Sequence, residues 1–445
     1  MSRRRQTRNP LGLILGFLAL SGLAACGGGG GGEALGGGSG VVVAVPLPQI
    51  ASFSAQPTTI AQGQSATLSW SVSGAASLSI DNGVGDVTGA SSRSVSPAAT
   101  TTYVLTASNA TGSVTASAAV TVNPQGPPPT QSALQAARTY SASVGGQTFL
   151  VMHNGQIIDE AYANGGAADR VQLLASGTKG FTGLIGAIGA ADGLYALDEP
   201  VSQRALPEWS ADARKSQITF RHLLTMTSGL EELNDLAGWL DYLPARAINP
   251  PGDVFVYSGD PNIFGLALER RLGGERVLDY FNRKLFTPLD MASVRWGTNF
   301  ADGRPQLSGG AYATARDWAK FGEFVRRTLD GSWTGAALLP RSVFDQVLQG
   351  TRAHPAYGFY WWLKEPVPAA LAATIDANNK NQFTRQIKPI IDEPLVPDDF
   401  VMLAGAYGQR VYVIPSRGLT VVRNGPVNEN RFDDRELLTR LLAPP

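Results

Sequence analysis

Between residues 46 and 123 apolar and polar side chains alternate in short runs, and beyond residue 130 the pattern lengthens and mixes. Ala66-Thr67-Leu68-Ser69-Trp70-Ser71-Val72 alternates strictly enough to predict a half-buried strand. Ser77-Leu78-Ser79-Ile80, stopped by Asp81-Asn82-Gly83, predicts another, and Thr102-Tyr103-Val104-Leu105-Thr106-Ala107 a third. A last run over 113–122 follows the turn Asn109-Ala110-Thr111-Gly112. Short strands separated by turn signals predict a small antiparallel sandwich, with Trp70 and Tyr103 as core anchors.

The remaining residues, 131–445, read differently. Residues 147–161 hold two apolar runs joined at Asn154-Gly155, a strong hairpin signal. The Gly- and Ala-rich run 181–191 predicts a buried helix opened by Ser176, and long helical and irregular segments follow to about residue 351. Tyr257 is expected on a short strand after the Pro250-Pro251-Gly252 turn. Residues 410–415 and 419–423 return to strands around Gly418, and a closing helix is expected over 432–442. Strands at both ends with helices between them predict an α+β domain, an antiparallel sheet flanked by helices plus a helical lobe. The Pro- and Asn-containing stretch 363–400 reads as a long irregular segment, either a roof over a cleft or a solvated insertion. The aromatic run 357–362 before it reads as core and cleft wall.

A chain of 445 residues exceeds one compact core, so two or three domains are expected. Lys plus Arg (36) equals Asp plus Glu (36), so no net field favours nucleic acid or another polyanion. Arg3, Arg4, Arg5 and Arg8 precede an apolar run, 11–25, too short to span a bilayer, which reads as a signal peptide, 1–25. Leu23-Ala24-Ala25-Cys26 resembles a bacterial lipobox, which implies cleavage before Cys26 and lipidation of its thiol. Cys26 is the only cysteine, so no intramolecular disulfide can form. Gly27, where an Asp would retain a lipoprotein at the inner membrane, implies the outer membrane, facing the periplasm or the cell surface. Ser2-Arg3-Arg4 leaves the Sec and twin-arginine export routes both open. The Gly-rich stretch 26–45 predicts a flexible tether reaching roughly 20 Å. Residues 46–123 resemble a bacterial immunoglobulin-like domain without its disulfide, a spacer by default and a carbohydrate binder as the lesser option. A stiff Pro-rich linker, 124–130, follows.

Leu174-Ala175-Ser176-Gly177-Thr178-Lys179 places a serine three residues before a lysine at the mouth of an apolar helix. Residues i and i+3 share a helix face, roughly 5–6 Å apart at Cβ, within reach for a nucleophile and its proton acceptor. First-turn amides without intrahelical partners, and the helix dipole, favour negative charge there. By itself this spacing is more often a helix cap followed by a surface lysine. Rival chemistries are weaker still. No Gly-x-Ser-x-Gly elbow occurs, and His153, His222 and His354 have no metal-ligand spacing, so neither metal nor organic cofactor is expected.

Three later segments change the weighting. They are Ile218-Thr219-Phe220-Arg221-His222-Leu223-Leu224-Thr225-Met226-Thr227-Ser228-Gly229-Leu230, Pro251-Gly252-Asp253-Val254-Phe255-Val256-Tyr257-Ser258 and Gly309-Gly310-Ala311-Tyr312-Ala313-Thr314-Ala315-Arg316-Asp317. With Ser176 and Lys179 they resemble the serine hydrolases related to class C β-lactamases and D,D-peptidases, a group that includes esterases and 6-aminohexanoate-dimer hydrolases. The resemblance implies a multidomain chain: an all-β immunoglobulin-like sandwich followed by an α+β β-lactamase/transpeptidase-like domain. It also implies that Ser176 is acylated, Lys179 activates it, and Tyr257 acts as second base and proton donor to the leaving group. His222 is implied to be structural.

Departures bear on the substrate. The β-lactamases carry Tyr-x-Asn, whereas here Tyr257-Ser258-Gly259 is followed by Asp260, and no Lys-Thr-Gly occurs. The matching stretch, Met402-Leu403-Ala404-Gly405-Ala406-Tyr407-Gly408-Gln409, resembles the Gly-x-x-Gly-Gln of the esterase and aminohexanoate-dimer branches. Gly405, Ala406, Tyr407, Gly408 and Gln409, with Ser258 and Asp260, are therefore the candidate oxyanion and substrate contacts. The expectation is a monomeric, exported, lipid-anchored esterase or amidase acting on a small molecule, with weak β-lactamase activity. The alternatives are a β-lactamase or D,D-peptidase, and an inactive surface-binding protein.

Overall fold

The computed structural model describes residues 45–61, 65–123, 126–232, 238–297, 299–426 and 431–444. The signal, Cys26 and all of the tether but residue 45 lie outside them. Residues 46–445 form one compact unit.

The N-terminal sheets follow the alternation. Gln49–Gln56, Ala66–Ser73 and Ser92–Val95 form a three-stranded antiparallel sheet. Thr59–Ala61, Gly112–Asn123, Thr101–Asn109, Ser77–Ile80 and Gly85–Asp86 form a five-stranded one in that order. Residues of both sheets, among them Leu68, Trp70, Tyr103 and Val120, share one apolar core. The expectation of a purely antiparallel arrangement fails at one place: Thr59–Ala61 runs parallel to Gly112–Asn123.

Residues beyond 130 form a six-stranded antiparallel sheet, ordered Gln156–Tyr162, Thr148–His153, Leu419–Asn424, Gln409–Ile414, Val401–Gly405, Trp362–Leu363. The central strands are buried at every position, because helices cover the sheet and no face is left for polar alternation. Ala315–Leu329 packs on the strands Gln409–Ile414 and Leu419–Asn424, and Gln131–Ser143 pairs with the closing helix Asp434–Leu442. The close approach of Ala315–Leu329 depends on Gly322, where a Cβ would stand 2.7 Å from Thr420 and from Val411.

The small-residue helix spans Lys179–Ala191 and is buried on nearly all sides. Its glycines set how tightly it is gripped: a Cβ on Gly180, Gly183 or Gly186 would fall 2.4 Å from Leu403, 2.2 Å from the Phe359 carbonyl or 2.5 Å from Leu224. Phe181 stands edge-on to Phe286 and Phe321, with centroids 5.1 and 4.8 Å away, contacts worth about 0.5–1.5 kcal/mol each beyond burial.

Two expectations are corrected. The residues before Tyr257 form a turn and an extended loop rather than a strand, held by Val256 N donating to Met226 O at 3.0 Å. The stretch 363–400 is largely helical, with helices at Ala369–Asn378, Gln382–Gln386 and Lys388–Ile391. Among the described residues, no helix is long and apolar enough to cross a membrane.

Candidate active site

Ser176 lies in the 3-10 turn Ala175–Thr178, one step earlier than the α-helix proper. The chain enters this turn with Ala175 at φ +47°, an unfavourable left-handed conformation for a residue with a Cβ. Its surroundings hold it there. Gly177 abuts Trp318, whose ring would be 2.4 Å from a Cβ, and the Thr178 hydroxyl accepts from Ala311 N at 3.0 Å. The amide of Ser176 is among the first of the turn and so has no partner within it.

One turn on, Lys179 is 4 % exposed. Its Nζ lies 3.0 Å from Ser176 Oγ and donates to Ser308 O at 2.6 Å. The Tyr257 ring centroid is 4.7 Å from the same nitrogen. Among the described residues no carboxylate forms an ion pair with it. The Ser308 carbonyl is itself fixed: Asn262 Oδ1 accepts from Leu307 N at 2.9 Å, Asn262 Nδ2 donates to Ser308 Oγ at 3.3 Å, and the Thr182 hydroxyl donates to Leu307 O at 3.1 Å. The Lys179 nitrogen is thus held between the Ser308 carbonyl and the serine hydroxyl.

Tyr257 is half-buried, stacked on Trp362 and edge-on to Tyr357. Its backbone N–H donates to Asn379 Oδ1 at 2.6 Å, so a residue of the 363–400 stretch positions the phenol-bearing loop. Ser176, Lys179 and Tyr257 therefore meet at one place.

The other candidates divide. Gly405 presses against the nucleophile turn, since a Cβ there would fall 2.2 Å from Leu174 O and 3.1 Å from Gly177 N. Gly405, Ala406 and Tyr407 line a cavity of about 400 Å³ together with Gln382, Arg385 and Gln386. Gly408 and Gln409 turn away: the Gly408 carbonyl accepts from Arg423, and the Gln409 carboxamide is taken up by Asn424 and Gly425. Ser258 and Asp260 lie beneath the cleft, Asp260 only 1 % exposed, and neither offers a surface to a substrate. One Asp260 oxygen accepts from Ser228 at 3.0 Å and Ser258 at 3.3 Å, and the other has no partner among the described residues. Burial pushes its carboxyl up to about 7.

A second cavity, of about 280 Å³, is bordered by Tyr257 and again by Gln382, Arg385 and Gln386. Residues 378–386 of the 363–400 stretch thus roof the space next to Tyr257 and next to Gly405, and neither cavity is bordered by Ser176 or Lys179. Sequence reasoning missed Ser308, Asn262 and Asn379. Ser308 directly precedes the Gly309-Gly310 motif, which was the only available pointer to it. His222 closes a capping box with Thr219, and its burial lowers its pKa, in keeping with a structural part.

A serine and a lysine one turn apart at the head of a buried helix, beside the end of an antiparallel sheet, define a serine hydrolase fold of the β-lactamase type. The Beta-lactamase family model matches residues 132–443, and the chain belongs to that family. EstCE1, a hydrolase with promiscuous acyltransferase activity, is a structural neighbour at TM-score 0.54 and 18% identity, over 70% of this chain and 98% of its own. A family VIII carboxylesterase follows at TM-score 0.52 and 16% identity, over 71% and 98%. A β-lactamase/D-alanine carboxypeptidase from Pseudomonas syringae aligns at TM-score 0.51 and 18% identity, over 70% and 99%. At such identities these likenesses speak for the fold. No curated protein matches the chain.

Proposed function

We propose that this protein is an exported serine hydrolase that cleaves an ester or amide bond through an acyl-Ser176 intermediate. The observation that carries this is Lys179 Nζ, buried and 3.0 Å from Ser176 Oγ, with the Ser308 carbonyl holding it in line. A serine hydroxyl needs such a neighbour to remove its proton. Ser176 Oγ bonds to the substrate carbonyl carbon as its proton passes to Lys179. The carbonyl oxygen takes up negative charge beside the Ser176 amide and the 405–407 backbone. Tyr257 delivers a proton to the leaving group as the old bond breaks, and water then releases the acyl group by the reverse path.

The neighbouring carboxylesterase and the acyl-transferring hydrolase favour esters, and a linear amide of the 6-aminohexanoate-dimer type fits the same chemistry. The lack of a Lys-Thr-Gly in the matching stretch 402–409, and Gly259 where β-lactamases carry Asn, speak against efficient β-lactam turnover. The catalytic part would hang from a lipid on Cys26, a glycine tether and an immunoglobulin-like spacer over 46–123, as a monomer at the outer membrane.

A fluorophosphonate probe tests the reading. Wild type should be labelled and Ser176→Ala should not; equal labelling, or none of either, would favour an inactive binding protein. Cys26→Ser should move the protein from the membrane to the soluble fraction.

A further inference from the structure

The turn between the strands Val401–Gly405 and Gln409–Ile414 is held from inside by one guanidinium. Arg410 is 6 % exposed, and its Nη1 donates to Gly405 O at 2.7 Å and to Gln409 O at 2.9 Å. Its other side makes a bidentate pair with Asp434, Nε at 2.6 Å and Nη2 at 2.9 Å. Asp434 also accepts from the Tyr412 hydroxyl at 2.5 Å, and the Phe432 ring centroid lies 5.6 Å from the guanidinium carbon. The closing helix Asp434–Leu442 thus clamps the arginine from behind. A lysine lacks the planar fork that reaches a carboxylate and two carbonyls at once.

What the clamp fixes is a peptide plane. Gly405 O and Ala406 N–H belong to one trans peptide and point in opposite directions. With Gly405 O drawn toward Arg410 on the neighbouring strand, Ala406 N–H faces the other edge of Val401–Gly405. On that edge Trp362–Leu363 pairs with Val401 and Met402, and among the described residues no strand continues beside 403–405. The same strand end meets the nucleophile turn, since a Cβ on Gly405 would stand 3.1 Å from Gly177 N. Tyr407 follows at φ +63°, a conformation that a tyrosine keeps only where its surroundings impose it. A carbonyl that accepts from a cation also polarises its amide, which strengthens the N–H as a donor.

Building on the acyl-serine reading, we propose that Arg410 is a positioning residue for the oxyanion. It aims and polarises the Ala406 N–H, which together with the Ser176 amide receives the charge on the substrate carbonyl oxygen. Arg410 acts only through the Gly405–Ala406 peptide.

The carbonyl stretch of the acyl-Ser176 ester tests this, because hydrogen bonds from oxyanion donors lower it. A p-nitrophenyl ester, isotope-labelled at its carbonyl carbon, acylates the full chain, and difference infrared spectra are taken before deacylation. In wild type the stretch should lie below that of the acid-unfolded acyl-enzyme. In Arg410→Lys it should move back toward that value, with kcat per fluorophosphonate-titrated site lower by about tenfold and KM within about twofold. Arg410→Gln combined with Asp434→Asn, which leaves no unpaired charge buried, should do the same. Arg326→Lys controls for lost stability: Arg326 is also buried, paired with Glu323 and Asp330 rather than with the 405–409 turn. It should lower the melting temperature and leave the stretch in place. A stretch unmoved or a wild-type kcat in the Arg410 variants, or an equal shift in Arg326→Lys, would overturn the assignment and leave the hydrolase reading intact. If wild type forms no acyl adduct, the hydrolase reading falls and this inference with it.

Discussion

The floor and the roof of the cleft are built on different terms. The floor packs the nucleophile turn and its helix so closely that a methyl group on Gly405 would meet the Leu174 carbonyl, one on Gly180 the Leu403 side chain and one on Gly177 the Trp318 ring. The roof, 369–391, is polar toward the cleft, partly exposed, and tied to the Tyr257 loop through one asparagine. Bond-making needs groups fixed to a fraction of an ångström, which dense packing supplies. Selecting among substrates needs side chains that can change without unfolding the protein, which a lightly tied helical segment supplies.

Substitutions should separate the two. The largest losses belong to the floor and should be blind to substrate. Ser176→Ala and Lys179→Met should each lower kcat by about 10³-fold or more on every ester of a p-nitrophenyl panel, and Tyr257→Phe by about 10²-fold. A Tyr257→Phe enzyme with the wild-type rate would remove the phenol from the mechanism. Gly405→Ala should come next. Its methyl must push the strand end away from Leu174 O, costing about 1–3 kcal/mol of stability and lowering kcat with little change in KM. Full activity in that variant would show that the floor tolerates displacement.

Much of this was legible in the chain itself. The alternation at Ala66–Ser73 and the Asn154-Gly155 hairpin register directly in the sequence, as does the Ser176–Lys179 spacing. Tyr257 was reachable only through the resemblance, because nothing local distinguishes it from the chain's other tyrosines. The Ser308 contribution is a backbone carbonyl, which no residue identity encodes. Asn379 acts across 122 residues of sequence, on an amide rather than a side chain. The roof's helices escape the sequence pattern because they are short and flanked by Pro and Asn, which mask a weak periodicity. Asp260 is close to Tyr257 in sequence, yet the first turn of the helix Asp260–Glu269 carries it inward, away from a substrate.

Roof variants should give smaller effects that differ from one substrate to another. Asn379→Ala frees the Tyr257 amide from its acceptor and should change KM by about three- to tenfold, unevenly across the panel. A uniform fall in kcat would instead make the roof part of the floor.

The smallest effect lies at the seam. His354 is fully buried, its ring nitrogens without partners among the described residues, packed against Phe255, Tyr357, Trp362 and the roof residue Phe383. Burial pushes its pKa down to about 3, against a slight opposing pull from Asp376. The unfolded chain takes up this proton below about pH 6.5 and the folded one does not, so the histidine's contribution is present above that pH and is lost as pH falls toward 3. Asp260, raised to about 7, acts in the opposite sense, its contribution fading as pH rises from about 4. The melting temperature at about pH 5 minus that at about pH 7 should therefore be more positive in His354→Phe than in wild type, because the Asp260 contribution is then unopposed. An unchanged gap would remove the seam from the acid response.

The central claim is that Ser176 becomes acylated. Rapid acid quenching during turnover of a slow p-nitrophenyl ester, followed by intact-mass and peptide analysis, reads this directly. One acyl mass on the peptide containing Ser176, absent from Ser176→Ala, is the predicted result; turnover with no adduct, or an adduct that persists in Ser176→Ala, would contradict it.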